Sequence, residues 1–392
     1  MLNRLRQFIA VPEAKASRVG RIIALQGAGR ARWTPRDYAA LAREGYGKNA
    51  VVFRAVRLVA ESVGALTFLA YEGAAERDTH PLLALIARPN PRQDGAAFLE
   101  CLTTHLLLAG NAYIESVSLD GDLRELYALR PDRMKVVPGP DGWPQAYEYT
   151  VGGATVRFDQ SASVPPNVPP ILQLTLFNPL DDYYGLSPLE AAAIAVDTHN
   201  AAAAWNKALL DNAARPSGAL VYNGAEGSVL SDAQFERLKK ELSDQYQGTA
   251  NAGRPLLLEG GLDWKAMSLS PKDMDFMEAK HAAAREIALA FGVPPMLLAI
   301  PGDNTYSNYQ EANRVFWRQT VLPLANRIAS ALAQWLAPAF GAVALAIDTD
   351  KIDALAADRA ALWDRVTKAP FLTLNEKRAA TGYGAVEGGD VF

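Results

Sequence analysis

Apolar side chains recur along this chain at two periods, and the switch between the periods outlines its elements. Val52, Val56, Val59 and Val63 stand three or four apart, the spacing that stacks side chains on one helix face, and predict a helix over 49–63. Residues 1–47 carry no such pattern and read as irregular. Their start holds Arg4 and Arg6 but lacks the apolar core of a signal segment. Leu66-Thr67-Phe68-Leu69-Ala70-Tyr71 reads as a strand. Residues 80–87 form a short apolar helix, stopped by Arg88-Pro89-Asn90-Pro91, because a residue before proline disfavours helical backbone. A second helix spans 94–109 and ends at Gly110, a C-cap residue type. Between 111 and 176 the pattern becomes that of short strands, at 112–117, 126–129, 134–137, 147–151, 155–158 and 171–176. Asp141-Gly142 and Gly152-Gly153 supply turns.

Beyond 185 helices take over. Residues 186–214 read as one long alanine-rich helix with Pro188 at its start. Asp197, His199, Asn200, Asn206 and Lys207 interrupt its small-residue surface, which suits close packing against copies of itself. Pro216 and Gly218 end it, and 219–222 is a strand. Ser231-Asp232-Ala233-Gln234 is a capping box opening a charged helix to about 247. Residues 256–259 and 264–267 suggest a hairpin around Gly260-Gly261, so 217–269 forms a β-α-β-β insert between two long helices. The second of these, 271–291, carries a stripe of Met277, His281, Ala284, Ala288 and Phe291 and stops at Gly292-Val293-Pro294-Pro295. The loop 293–309 is longer than a helix connection requires, the mark of a functional or a disordered segment. A third long helix covers 309–336 with a bend near Pro323. A strand at 343–347, a helix at 351–367 and a second capping box, Thr373-Leu374-Asn375-Glu376, precede a glycine-rich tail. The fold class is α+β.

With 392 residues, 49% hydrophobic and 21% charged, the chain has ample core for two or three domains. Its net charge of −4 argues against tight static binding of duplex DNA, since neutralised phosphates supply most of such affinity. Any DNA contact would be loose. The single Cys101 excludes an internal disulfide and reads as a small core hydrophobe. No apolar run approaches the ~18 residues of a membrane span, so no membrane association is expected.

The search for chemistry returns absences. The chain has no phosphate-binding P-loop, no Gly-x-Ser-x-Gly elbow, no His-Glu-x-x-His and no Cys-x-x-Cys. His80, His105, His199 and His281 are far apart and read as structural, with metal or acid–base work the alternative. Asp181-Asp182 is a polar turn or a metal-binding pair. Asp348 and Asp350, between a strand and a helix, read as caps. No cofactor, metal or enzymatic activity is expected.

Five stretches occur in an order that carries more than any one alone. They are His80-Pro81-Leu82-Leu83 with Arg88-Pro89-Asn90; Leu106-Leu107-Leu108-Ala109-Gly110-Asn111-Ala112-Tyr113; Tyr184-Gly185-Leu186-Ser187-Pro188-Leu189; Phe291-Gly292-Val293-Pro294-Pro295 with Thr305-Tyr306-Ser307-Asn308; and Leu374-Asn375-Glu376-Lys377-Arg378 with Gly388-Gly389-Asp390. Over about 50–390 the chain resembles the portal proteins of long-tailed phages and the related gene transfer agents. The resemblance implies a homo-oligomeric ring, usually of twelve, at one capsid vertex, through which double-stranded DNA enters and leaves. It implies a wing over 1–189, stem helices at 190–216 and 270–292 and a clip at 217–269. A tunnel loop at 293–309, a long helix behind the channel at 310–340 and a short crown at 341–392 complete the set. Tunnel-loop residues are Asp303, Asn304, Thr305, Tyr306, Ser307 and Asn308. Clip residues for docking are Arg237, Lys239, Lys240 and Arg254. The implied partners are the major capsid protein, the terminase large subunit and then the head–tail adaptor, in a virion assembled in the bacterial cytoplasm.

Two other classes compete. A head–tail adaptor ring is disfavoured by length, and a nuclease or packaging ATPase by the missing nucleotide loop and the lack of clustered carboxylates or histidines. A nucleotide-hydrolysis assay on the purified chain separates conduit from enzyme: no turnover above buffer is expected, and DNA-stimulated hydrolysis would overturn the conduit reading.

Overall fold

Asn49 opens the first long helix of the computed structural model, which describes residues 33–73, 75–161, 167–211, 218–222, 231, 233–234, 236–237, 240, 262–266, 276–302 and 306–391. Its side-chain oxygen accepts from the N–H groups of Val51 and Val52 at 3.0 and 3.2 Å, capping α2 (Ala50–Gly64). The helix buries Val52, Ala55, Val56, Val59 and Val63 completely. They lie in one core cluster with Phe98, Leu102 and Leu106 of α4 (Gly95–Ala109). A fully buried valine or leucine contributes about 1.5–3 kcal/mol, so this stripe anchors the body. Before α2, a region read as irregular forms α1 (Tyr38–Leu41) and a π-helical turn, Ala42–Tyr46. Between α2 and α4, α3 (Pro81–Ala87) starts where His80 Nδ1 accepts from Leu82 N–H.

Among the described residues the strands pair antiparallel in three small sheets and a ribbon. In one sheet, β3 (Asn111–Leu119) lies between β4 (Asp122–Leu129) and β8 (Ile171–Thr175). In the second, β6 (Pro144–Val151) lies between β5 (Met134–Pro138) and β7 (Ala154–Asp159). Tyr113, Leu129, Met134, Val136, Tyr147 and Ile171 fill the space where these two sheets meet. The third sheet joins distant parts of the chain. There β1 (Phe68–Glu72) pairs with β2 (Ala75–Arg77) and with β11 (Ala344–Ile347), in the register Phe68↔Ile347 to Tyr71↔Ala344. That pairing crosses the expected division at 341. Residues 34–392 form one contact unit.

Two quoted stretches meet at a point of backbone contact. Gly110 ends α4 at φ +70°, and a Cβ on Gly185 would stand 2.1 Å from the Gly110 carbonyl oxygen. The Asn111 side-chain oxygen accepts from Gly185 N–H (3.0 Å), and Ser187 Oγ donates to the Leu107 carbonyl (3.0 Å). Ser187 also caps α5 (Pro188–Ala191). The expected 186–214 helix is therefore two helices, broken at Ala192, the second being α6 (Ala193–Asp211). Residues 212–217 lie outside the described ones.

The third long helix also differs from expectation. It begins as α8 (Tyr306–Phe316), passes through a π-helical turn at Trp317–Val321, and continues as α9 (Leu322–Phe340). Pro323 lacks an N–H and its ring crowds the preceding turn, so the wider π turn sits where a bend was expected. At the C-terminus, 3-10 turns at Thr349–Lys351 and Asp353–Leu355 replace the start of the expected 351–367 helix. Then come α10 (Ala356–Thr367) and α11 (Leu374–Ala380). The Thr373–Glu376 capping box forms in both directions. Asn375 donates to Val386 O and Asp390 Oδ1 and accepts from Val386 N–H, while Gly389 passes so close that a Cβ would meet Asn375 at 2.4 Å.

Gly185→Ala is expected to cost about 3 kcal/mol or more, because backbone must move to admit the methyl. Gly142→Ala, at φ +84° in open space, is expected to cost about 1 kcal/mol. Urea unfolding midpoints check the ranking; equal midpoints would show that the contact yields.

Candidate functional site: a two-helix blade and its adjoining loop

The chain leaves the body along α6, makes a ribbon, and returns along α7 (Phe276–Ala290). The ribbon pairs β9 (Gly218–Tyr222) with β10 (Leu262–Ala266) antiparallel, Gly218 opposite Ala266. Because α6 ends and α7 begins at the same end of that ribbon, the two helices run antiparallel. Ala195, Val196 and Ala202 of α6 are buried, as are Ala283, Ala284, Ile287 and Ala288 of α7. Small side chains at these positions allow close approach of the axes. The stripe expected on α7 holds at Ala284, Ala288 and Phe291, but Met277 in the first turn is 58% exposed and Ile287 takes a core place. β10 pairs with β9, and 256–259, the other arm of the hairpin expected with 264–267, lies outside the described residues.

The polar residues of α6 reach back toward the body. Thr34 donates to the Asp197 carboxylate from its N–H (2.8 Å) and its hydroxyl (2.5 Å). Arg36 donates to the Glu190 carbonyl, and Asn200 to the Glu44 carbonyl. The buried Asn49 amide directs its NH2 to His199 Nδ1 at 3.1 Å and Asn200 Oδ1 at 3.0 Å. With Asn49 as donor, His199 Nδ1 must be an unprotonated acceptor. Burial first, then the charges of Lys280 and His281 on α7, hold the His199 pKa below the usual histidine range.

The loop after α7 is built for most of its length. Gly292 turns the chain at φ +64°, and its carbonyl accepts from Thr320 Oγ1 at 2.5 Å. Pro295–Leu298 form a 3-10 turn, and Ala299 follows in the left-handed region at φ +55°. Ile300 is buried with Ala284 and Ala288, and Arg285 donates to the Pro301 carbonyl at 2.5 Å. Of the six loop residues singled out, Asp303, Asn304 and Thr305 lie outside the described residues. Tyr306, Ser307 and Asn308 are not loop but the first turn of α8, with Ser307 and Asn308 exposed. In the insert, the Ser231–Gln234 capping box forms. Arg237 and Lys240 are helical and exposed, while Lys239 and Arg254 lie outside the described residues.

The other candidates resolve into local structure. Asp181 Oδ1 accepts from Tyr183 and Tyr184 N–H as a turn, and Asp348 caps the 349–351 turn. His105 is half-buried four residues from Cys101, its Nε2 3.5 Å from the sulfur, and desolvation pushes its pKa down to about 4. Burial raises the pKa of the half-buried Cys101 thiol. Among the described residues no group of three His, Cys, Asp or Glu is placed to hold a metal, and no helix is long and apolar enough to cross a membrane. Sequence reasoning missed the second role of Asn49, which depends on partners 150 residues away, and Arg285, whose partner is a backbone carbonyl.

The family model described as "Phage portal protein" matches residues 50–382. An uncharacterized protein of Rickettsia bellii is 43% identical over 352 residues, 88% of this chain and 90% of that one. The portal protein of Enterobacteria phage HK97 is 26% identical, over 80% of this chain and 72% of its own. Among solved structures, a chain in the neck of a native gene transfer agent particle, computed with C12 symmetry, is 53% identical. It covers 92% of this chain and 97% of its own with a TM-score of 0.69.

The His199 contact sets a pH dependence. Its folded pKa is depressed, so its stabilising contribution is fully present above the unfolded value of about 6.5. That contribution is lost as pH falls through the window below it. The melting temperature is expected to fall between pH 7.5 and 5. His199→Asn is expected to reduce that slope without abolishing it, because His105 acts with the same sign. Thermal melts of parent and variant check this, and identical slopes would show that His199 carries none of it.

Proposed function

The chain belongs to the phage portal protein family, and on that premise we propose that twelve copies close into a ring at the unique vertex of a capsid, around a channel for double-stranded DNA. The observation that carries this is the 53% identity, over nearly the whole chain, to a neck component solved under twelvefold symmetry. The family match, over 50–382, spans the blade, the ribbon and the loop. A gene-transfer-agent type of particle is the reading this supports best. In it, α6 and α7 are the stem, and residues 217–269 are the clip that docks the terminase large subunit and then the head–tail adaptor. Arg237, Lys239, Lys240 and Arg254 present positive charge to those partners. The body meets the major capsid protein in the virion, after assembly in the bacterial cytoplasm.

Charge fits a channel that lets DNA slide. A strongly basic bore would hold DNA by counterion release, and the chain carries 39 basic against 43 acidic residues. The segment 303–308 is the tunnel loop in this reading, polar and with Asp303 its sole charge. Its base is rigid: Ile300 is buried and the Pro301 carbonyl is held by Arg285.

Deleting 302–305 spares the Pro301 contact and the first turn of α8. Rings are expected by electron microscopy from both parent and deletion variant. Nuclease-protected DNA in assembled particles is expected to drop at least about tenfold in the variant, a loss of order 1.4 kcal/mol in retention. Undiminished protection would displace the constriction from this loop. Absence of any ring from the parent would overturn the portal reading itself.

A further inference from the structure

The helices α8 and α9 are held in different ways. α9 buries Ala325, Ile328, Ala329, Leu332 and Leu336 completely, all within the core cluster of the body. Among the described side chains of α8 only Phe316, its last residue, is buried. The π turn at Trp317–Val321 lies between them and is itself fixed. Val321 is fully buried, and Thr320 Oγ1 donates to the Gly292 carbonyl. Apolar burial therefore secures the chain from Phe316 onward, and α8 extends about 15 Å back from that point.

Charge holds α8 from the side. The Asp358 carboxylate on α10 accepts from Arg314 at 3.1 Å and stands 3.7 Å from the Arg318 guanidinium. Arg314 belongs to α8 and Arg318 to the π turn, so one carboxylate spans their junction. Arg314 also donates to Glu311, which fixes its guanidinium between two carboxylates. α10 is lightly packed too, with Val366 its one buried residue. Arg359 of α10 donates to the Asp350 carbonyl, and Tyr383 Oη donates to the Asp350 carboxylate at 3.1 Å. Polar contacts thus run from the C-terminal segment through Asp350 and α10 to α8.

Resting on the portal reading above, in which Tyr306 ends the tunnel loop, we propose that Asp358 is a positioning residue for that loop. It sets the angle at which α8 leaves the π turn, and it couples the segment 348–391 to the loop's end. Without the carboxylate, α8 pivots about the π turn, a place where helices bend. A partly exposed ion pair adds little to global stability, yet it suffices to bias an element with so little burial of its own.

Hydrogen exchange on the full chain tests this peptide by peptide. Asp358→Asn is expected to speed amide exchange over 306–316 about fivefold, with 322–340 and the thermal melt unchanged. Asp358→Glu, which keeps the charge, is expected to exchange like the parent. Coupling is reciprocal, so Arg314→Gln with Arg318→Gln is expected to speed exchange over 356–367. Parent-like exchange over 306–316 in Asp358→Asn would overturn the positioning role. Faster exchange spread through 322–340 with a lowered melt would overturn it as well, by showing that Asp358 supports the whole fold. In particles, Asp358→Asn is expected to leave rings intact and to lower nuclease-protected DNA about threefold or more. Altered exchange with undiminished protection would break the link from α8 to the loop while sparing the portal reading. Absence of rings from the parent would instead remove the portal reading, and exchange would still report on Asp358.

Discussion

The buried amide of Asn49 joins the two halves of the molecule. Its oxygen ends the orphan N–H groups of α2, the helix on which the body is packed. Its NH2 holds His199 and Asn200 at the root of the blade. A short amide with all its partners in place fixes a direction as well as a distance, and here the direction is that of α6 leaving the body. Thr34 on Asp197 and Asn200 on the Glu44 carbonyl repeat the fastening along α6, and Arg36 on the Glu190 carbonyl fastens α5 before it. The root is therefore polar and specific, while α6 and α7 pack on each other through small apolar side chains that specify little beyond closeness.

This division suits a ring subunit. The helices of the blade are held to the body chiefly at one end, by Asn49 and Thr34. The loop after α7 follows the same logic: Gly292, Ile300 and Arg285 fix it to the helices as far as Pro301, and Tyr306 starts a new helix. The closure of β11 on β1 brings the chain's last third back to its first sheet.

Much of the architecture was legible in the amino-acid pattern because its causes are local. The valine stripe of α2, Asp94 and Gly110 at the two ends of α4, the six strands between 111 and 176 and the Thr373–Glu376 capping box each lie within one element. The loop was legible only as a length. The turn at Pro295–Leu298 and the helical start at Tyr306 shorten it from within, and neither has a strong local signature. The break at Ala192 was hidden for a similar reason: alanine favours helix, so nothing in the local composition marks it.

What the sequence by itself determined, then, was the order of elements, the insert between two long helices and the acidic balance, since periodicity, caps and charge are properties of neighbouring residues. What only the tertiary structure decided was which distant groups meet: Gly185 against Gly110, β11 beside β1, Asn49 beneath His199, Arg285 on Pro301. A hydrogen bond or a backbone contact carries no imprint of its partner in one residue's own chemistry. Such pairings exist only after burial has brought the segments together and left their polar groups no water to turn to.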